Sequence, residues 1–159
     1  MNTGKAAEEE ESKSSFGFNR IMAISCGVDI IRISRIRDVF NRKGDLFLNR
    51  VYTRSEAIAC ANSRGELSME SLAARFSAKE AVSKALGTGI WRQGIGFTDI
   101  EISVDTSGKP TLLLHGAALC AFERLGGKSS SVSISHDGDL SVAMCVMEFS
   151  DTDCRGDNG

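Results

Sequence analysis

A small set of charged residues in the middle of the chain is the part of the sequence most able to do chemistry. An alanine-rich stretch supplies three cations and one carboxylate, which are Arg75, Lys79, Lys84 and Glu80. A second carboxylate, Asp29, lies near the start of the chain. Mg²⁺ takes few protein oxygens and keeps water and phosphate oxygens as its other ligands, and lysine and arginine bind phosphate groups. The combination therefore predicts a site for a metal-bridged pyrophosphate.

The alanine-rich stretch has a composition that predicts a helix. Alanine and leucine dominate it, proline is absent, and Gly87 is expected to end it. With successive side chains about 100° apart, Lys79 and Ser83 fall on the same side as the bulky apolar residues. Charged groups among packed side chains are costly unless they are paired or face a ligand. The pattern favours a binding site, and an ordinary surface helix with a Glu80–Lys84 pair is the alternative.

The second carboxylate lies in a segment that predicts a β-strand, residues 21–33. Its apolar residues share one parity, whereas Asp29 shares the other parity with small residues such as Gly27. Because glycine has no side chain, Gly27 leaves room for another group to approach. Asp29 is therefore a candidate site residue, and the alternative is a capping or turn residue at the end of the strand.

The next segment is basic and is expected to form short helices. Its seven cations are Arg32, Arg35, Arg37, Arg42, Lys43, Arg50 and Arg54, opposed only by Asp38 and Asp45. Ser34 is expected to cap the first of these helices. Thr53 and Glu56 form a capping-box pattern at the start of the third. A basic surface of this kind suits an acidic partner, and the alternative is a solvated face.

The second half of the sequence predicts two strand pairs with a helix between them. These elements are residues 100–104, 110–114, 117–125, 131–136 and 140–147. His136 ends an apolar strand face, where a satisfied core histidine is the alternative to a functional one. The glycine-rich segment 87–97 follows a helix rather than a strand, so it is not a dinucleotide-binding fingerprint. It is either a connecting loop or a place where a ligand lies against the main chain.

The 159-residue length suits one domain with two polar ends. Residues 1–20 include four consecutive glutamates and are expected to be disordered, residues 21–149 to form the domain, and residues 150–159 to be a polar tail. A net charge of −2 gives no indication of nucleic-acid binding, and no apolar run is long enough to span a bilayer. Five cysteines without a C-x-x-C motif are typical of a protein in a reducing cytosol.

Three segments of the chain resemble a known family. They are RFSAKEAVSKALGTG at residues 75–89, GVDIIRISRI at residues 27–36 and SISHD at residues 133–137. They are similar to motifs of the holo-acyl-carrier-protein synthases, in the phosphopantetheinyl transferase superfamily, and the resemblance extends over roughly residues 22–147. It implies an α+β fold, in which a small antiparallel sheet packs with helices.

The resemblance also implies an activity and assigns its residues. The activity is magnesium-dependent transfer of 4′-phosphopantetheine from coenzyme A to a serine of apo-acyl-carrier protein, with release of adenosine 3′,5′-bisphosphate. Asp29 and Glu80 are expected to bind Mg²⁺; Glu80, or a water that it orients, to accept the serine proton; and Lys79 to stabilise the transition state. The expected coenzyme contacts are Arg75, Lys79, Ser83, Lys84, Gly87 and His136, and Arg35 is expected to contact the acidic carrier.

The family commonly forms trimers with active sites between subunits, so a cytoplasmic homotrimer is expected, without membrane or nucleic-acid partners. Whether Asp29 and Glu80 meet within one subunit or across an interface is left open. One alternative function is a magnesium-dependent hydrolase of nucleotide diphosphates that uses the same acids and cations. The other is a non-enzymatic binding module whose basic segment, residues 32–54, docks RNA or an acidic protein.

Overall fold

The computed structural model describes residues 22–150, and it confirms the α+β class. The elements are β1 (Met22–Arg32), α1 (Ile33–Lys43), α2 (Asp45–Val51), α3 (Arg54–Ala59), α4 (Met69–Ala85), a 3₁₀ turn (Phe97–Asp99), β2 (Ile100–Val104), β3 (Pro110–Leu114), α5 (Gly116–Arg124), β4 (Gly127–Asp137) and β5 (Leu140–Ser150). The predicted disordered extension, residues 1–20, lies outside the described residues, as does the predicted polar tail apart from Ser150, which ends β5.

Two antiparallel sheets surround the long helix α4. The larger sheet has the strand order β1-β5-β4, and β2 and β3 form a separate hairpin. Helix α4 packs on β1 and β5 on one side and on α1 and β2 on others, so side chains all around it are buried. Apolar clusters consequently lie on more than one side of α4, which explains why its sequence shows no single apolar face.

The first strand approaches α4 closely at Gly27. A Cβ atom at this position would overlap the carbonyl oxygen of Ala81 and lie 2.7 Å from the Ala85 nitrogen. Two residues earlier, the Ser25 hydroxyl donates a hydrogen bond to the Ala85 carbonyl, at 2.7 Å. The room that the sequence predicts at Gly27 is thus occupied by the α4 backbone, and this close packing brings the β1 face that bears Asp29 against the helix.

The start of α1 is held by a residue that is distant in sequence. The helix begins at Ile33 with Arg32 as its N-cap residue, so the prediction that Ser34 is the cap is wrong. Instead, the Asp139 carboxylate accepts hydrogen bonds from the Ser34 amide, at 2.8 Å, and from the Ser34 hydroxyl, at 2.6 Å. Asp139 lies in the β4–β5 turn, and a cap supplied over this separation leaves no local sequence signal.

The predicted capping box at α3 is present, because the Thr53 side chain accepts from the Glu56 amide while the Glu56 carboxylate accepts from the Thr53 amide. The glycine that was expected to end α4, Gly87, has a left-handed φ of 71°, which favours glycine. Of the helices within residues 22–150, none combines the length and apolar character needed to cross a membrane.

Candidate active site

Asp29 and Glu80 lie close together within one chain. Asp29 is on the β1 face that packs against α4, and Glu80 is on the exposed side of α4, half-buried. Burial raises the pKa of the Glu80 carboxyl, and the nearby charge of Asp29 raises it further. A cation bound between the two carboxylates would relieve the repulsion that Glu80 experiences from Asp29. Both carboxylates of this pair come from the same chain.

Lys84 supplies the positive charge nearest to these carboxylates. Its ammonium donates to Asp29 Oδ1 at 2.8 Å and to the Val28 carbonyl at 2.9 Å. The Lys84 side chain is 48% exposed and that of Asp29 is 18% exposed, so the pair faces solvent. The charge of Lys84 also opposes the rise in the Glu80 pKa. Lys84 therefore lies beside the candidate metal ligands, with its ammonium accessible to a ligand.

The two carboxylates suit a Mg²⁺ ion that keeps ligands from elsewhere. Within residues 22–150, no group of three or more histidine, cysteine, aspartate or glutamate side chains is gathered as a metal cage. Mg²⁺ commonly binds through one or two carboxylates and completes its octahedron with water and phosphate oxygens. Asp29 and Glu80 fit this mode because they are oxygen donors, mutually repulsive and open on one side.

A cavity of about 350 Å³ lies between α4, the β2–β3 hairpin and β4. It is lined by Arg75 and His136, together with Ser71, Gly108 and Pro110. Arg75 is 7% exposed, and its guanidinium donates through Nη1 to the Ser71 carbonyl, at 3.3 Å.

The Arg75 side chain is buried beside this cavity, and its Nε atom has no hydrogen-bond acceptor within residues 22–150. Its guanidinium lies close enough to the Cys60 thiol to oppose, by its charge and a side-chain hydrogen bond, the rise that burial causes in the Cys60 pKa. His136 is exposed at the end of β4, on the opposite side of the cavity from α4. A cation on the wall of a cavity is well suited to an anionic ligand such as a phosphate.

Lys79 does not face a ligand, and the prediction that it binds phosphate or stabilises a transition state is wrong. Its side chain is completely buried. Its ammonium donates to Glu56 Oε2 at 2.6 Å and to the carbonyls of Val51 and Phe97, at 2.8 and 2.9 Å. These three acceptors use all three N–H groups of the ammonium. The charged residue on the packed side of α4 is therefore paired with protein.

Ser83 is also unavailable to a coenzyme, contrary to prediction. It is fully buried, and its hydroxyl donates to the Glu80 carbonyl at 2.9 Å. Its own carbonyl accepts from the amides of Thr88 and Gly89, each at 3.2 Å. Ser83 thus ties the end of α4 to the loop that follows. Gly87 lies exposed in this loop, and its predicted contact with coenzyme stays a prediction.

A second concave region, which we call the basic groove, lies between α1, α2 and the loop after α4. It encloses about 680 Å³ and is defined by exposed Arg42, Lys43 and Arg50 with the aromatic residues Phe76, Trp91 and Phe97. None of the ion pairs formed within residues 22–150 uses these three cations. Arg35 is exposed on α1 and lines a smaller pocket beside Ile30 and Leu140.

Glu56 has a structural role beyond the helix cap that the sequence predicted for it. The capping box identified its backbone contact with Thr53, but the same carboxylate is buried and also accepts from Lys79 and from the Ile102 amide. Helix α3 has only six residues, so it is too short for an apolar periodicity to reveal which side is buried.

Comparisons with known proteins show the family to which the chain belongs. Residues 25–145, which form most of the chain, match the model of the 4′-phosphopantetheinyl transferase superfamily. A holo-[acyl-carrier-protein] synthase of Solibacter usitatus is 43% identical over 127 residues, covering 80% of this chain and 99% of that protein.

Solved structures of holo-[acyl-carrier-protein] synthases have the same fold as this chain. The holo-[acyl-carrier-protein] synthase of Neisseria meningitidis superimposes with a TM-score of 0.70 at 33% identity, covering 77% of this chain and 96% of that one. The Helicobacter pylori enzyme, in complex with coenzyme A, gives 0.67 at 34% identity, covering 77% and 98%. The chain therefore belongs to the holo-[acyl-carrier-protein] synthase family of the 4′-phosphopantetheinyl transferase superfamily, and it is a transferase.

Proposed function

We propose that this protein transfers 4′-phosphopantetheine from coenzyme A to a serine of apo-acyl-carrier protein, depends on Mg²⁺ and releases adenosine 3′,5′-bisphosphate. The observation that carries the proposal is the pair Asp29 and Glu80, with Lys84 beside it, in a chain of this family. Relatives of the chain are named as holo-[acyl-carrier-protein] synthases, and one structural relative contains coenzyme A.

Asp29 and Glu80 hold the metal ion in this proposal. A Mg²⁺ ion held there would supply positive charge to offset the negative charge that develops on the leaving group. The carrier serine oxygen forms a bond to the phosphorus that bears the phosphopantetheine arm, and the bond from that phosphorus to adenosine 3′,5′-bisphosphate breaks. Glu80, or a water that it orients, accepts the serine proton.

The remaining cations bind the phosphates of coenzyme A. Lys84 is accessible beside the metal carboxylates and is placed to exchange its contact with Asp29 for one with a phosphate. Arg75 and His136 line one cavity, which is the proposed site of a second phosphate. Lys79 is excluded from this role because its ammonium is already saturated.

The basic groove is the docking site for the carrier in this proposal. Acyl carrier proteins are acidic, and Arg42, Lys43 and Arg50 surround an aromatic floor with positive charge that no ion pair among residues 22–150 neutralises. Electrostatic attraction of this kind speeds encounter with an acidic partner. Arg35, exposed on the same helix as Arg42, extends the positive surface toward the carrier.

The outer face of the larger sheet supports assembly with further copies of the chain. It exposes large apolar side chains on β1 and β5, which are Ile24, Val28, Ile30, Leu140, Val142 and Met144. An apolar patch of this extent is more typical of a protein interface than of a surface in water. The proposed assembly is a homotrimer, located in the cytoplasm, where the free thiols of Cys60 and Cys145 stay reduced.

The proposal is tested by incubating the protein with coenzyme A and an apo-acyl-carrier protein. The expected result is a mass increase of one phosphopantetheine group on the carrier, abolished by a chelator and restored by Mg²⁺. The variants Asp29→Ala and Glu80→Ala should lose the reaction, whereas Glu123→Ala, on the exposed surface of α5, is the control. An unmodified carrier in the presence of Mg²⁺ would refute the proposal.

The same experiment separates the two alternative functions. A hydrolase of nucleotide diphosphates would release adenosine 3′,5′-bisphosphate without any carrier, whereas a transferase releases it only when the apo-carrier is present. A binding module would retain full binding and function in the Asp29→Ala and Glu80→Ala variants. Measuring release of the bisphosphate with and without carrier therefore decides between the three.

A further inference from the structure

The loop between α4 and the 3₁₀ turn contains backbone conformations that its residues do not favour. Trp91 has a φ of 68° and Gln93 a φ of 53°, in the left-handed region that glycine adopts freely and other residues avoid. The Trp91 amide donates to the Ile95 carbonyl at 2.8 Å, which holds the loop in this shape. A bulky aromatic residue at a left-handed position costs free energy that glycine would not.

The side chain of Gln93 has an evident structural use, but that of Trp91 does not. Gln93 accepts a hydrogen bond from Arg124 at 3.0 Å. The Trp91 side chain is 56% exposed, so it adds little to the core. Strain that persists at an exposed position points to a functional role.

The Trp91 ring is nevertheless held in one place, on the wall of the basic groove. Its edge packs against the Phe97 ring, with centroids 5.8 Å apart and planes at 75°. The guanidinium of Arg50 lies over the ring, 4.5 Å from its centroid. This stacking orders Arg50 while leaving its N–H groups available at the groove, since no ion pair within residues 22–150 involves it.

We propose that Trp91 and Arg50 together form a recognition wall that selects the carrier protein. This inference rests on the proposed function, in which the carrier docks at the basic groove. Trp91 presents a rigid apolar surface and Arg50 presents an adjacent cation. The complementary carrier segment therefore has an exposed apolar side chain next to a carboxylate. Tryptophan and arginine are the residue types that most often dominate the binding energy of protein interfaces.

The variant Trp91→Gly isolates this role, because glycine suits the backbone at this position. Transfer to apo-carrier is measured with carrier and coenzyme A varied separately, and Tm is measured alongside. The expected result is an unchanged or higher Tm and a rise of about tenfold in KM for the carrier, as for loss of an interface hot spot. The KM for coenzyme A should change by less than about twofold, because the phosphates are bound elsewhere.

The matched control is Gln93→Gly, which relieves the same kind of backbone strain two residues away and leaves the wall intact. Its KM for the carrier should stay at the wild-type value. The variant Trp91→Phe keeps an aromatic surface and should recover part of the loss. Arg42→Glu and Lys43→Glu report separately on whether the carrier uses the basic groove at all.

The outcomes distinguish this inference from the function on which it rests. If the charge reversals raise KM for the carrier and Trp91→Gly leaves it unchanged, the recognition wall is refuted while docking at the groove stands. If neither type of variant changes KM for the carrier, docking at the groove and the wall are both refuted. A rise confined to KM for coenzyme A would assign Trp91 to the coenzyme and would equally overturn the inference.

Discussion

Lys79 Nζ lies 2.6 Å from Glu56 Oε2 in the interior of the protein, with the two side chains 0% and 1% exposed. Around this pair, Val51 and Phe97 contribute carbonyl acceptors, and Ile102 contributes an amide donor. The network therefore joins α2, α3, α4, the 3₁₀ turn and β2 at one point. Lys79 immediately precedes Glu80, so the pair anchors the turn of α4 that carries Glu80.

Removing one member of this pair should be much more damaging than removing both. Lys79→Met leaves the Glu56 carboxylate buried without its cation and should cost about 3–5 kcal/mol in the free energy of unfolding. Adding Glu56→Gln removes the uncompensated charge, so the double variant should be more stable than Lys79→Met alone. Denaturant unfolding of the single and double variants measures this coupling.

Lys84→Met is the control for this prediction, since Lys84 lies on the same helix and also pairs with an acid, but at the surface. We expect it to cost no more than about 1 kcal/mol, as is typical of exposed ion pairs. Equal losses for Lys79→Met and Lys84→Met would contradict the role given to the buried pair.

A methyl group at residue 27 should separate β1 from α4. Gly27→Ala places a Cβ against the Ala81 carbonyl and the Ala85 amide, which are backbone atoms and cannot rotate away. We expect a loss of about 1–3 kcal/mol in stability. Because Asp29 is on β1 and Glu80 on α4, a higher Mg²⁺ concentration should also be needed for half-maximal transfer.

Gly96→Ala is the matched substitution for Gly27→Ala. At Gly96 the backbone has an ordinary φ of −95° and the added carbon would meet its nearest neighbour at 3.7 Å, in normal contact. This variant should keep both its stability and its Mg²⁺ requirement. If Gly27→Ala behaves in the same way, the close approach of β1 and α4 is not what positions the two carboxylates.

Much of the fold could be predicted because its signals are local. Alternating apolar residues indicated β1, the Thr53–Glu56 capping box indicated α3, and Gly87 indicated the end of α4. The predicted ends of the elements were less accurate where a strand has one face exposed to solvent. Strand β4 begins at Gly127, before the predicted start, because its first residues are exposed polar residues that carry no strand periodicity.

A site residue could be proposed from the sequence only where its residue type indicates a role by itself, without knowledge of the residues that it contacts. Asp29 and Glu80 were identified as a carboxylate pair, and the structure places them close enough to interact. Lys79 was misassigned because its partner, Glu56, is 23 residues away in a helix that is too short to show a buried side. The spacing within α4 indicated that Lys79 lies among packed side chains. It could not indicate that the buried partner of Lys79 is the carboxylate of Glu56.

The raised pKa of Glu80 should make the metal-free protein sensitive to pH. Burial and the charge of Asp29 raise this pKa above the ordinary value of 4.5, so the folded state holds the proton more tightly than the unfolded state. Stability is therefore lost as pH rises from 4.5 through the raised pKa. In a chelating buffer at neutral pH, Glu80→Gln should have a higher Tm than wild type, and the difference should vanish below about pH 4.5.

Added Mg²⁺ should reverse this order at neutral pH, because the ion binds to and stabilises the ionised carboxylates only in the wild type. Glu123→Gln, on the exposed surface of α5, should leave Tm unchanged in both buffers. A Glu80→Gln variant that melts like wild type with chelator present would show that burial and the charge of Asp29 do not raise the Glu80 pKa.

The outer face of the larger sheet should determine the assembly state. Val28 is paired across the strands with Met144, and Ile30 with Val142, so four exposed apolar side chains form one continuous patch. Burying this patch between copies is favourable, whereas a buried carboxylate without a partner is strongly disfavoured. Met144→Glu should therefore convert the proposed trimer to a monomer, measured by sedimentation equilibrium.

Leu113→Glu, at an exposed apolar position on the separate β2–β3 hairpin, should leave the mass of the assembly unchanged. A wild-type protein that is monomeric at every concentration would refute the assembly, and a trimeric Met144→Glu variant would place the interface on another surface.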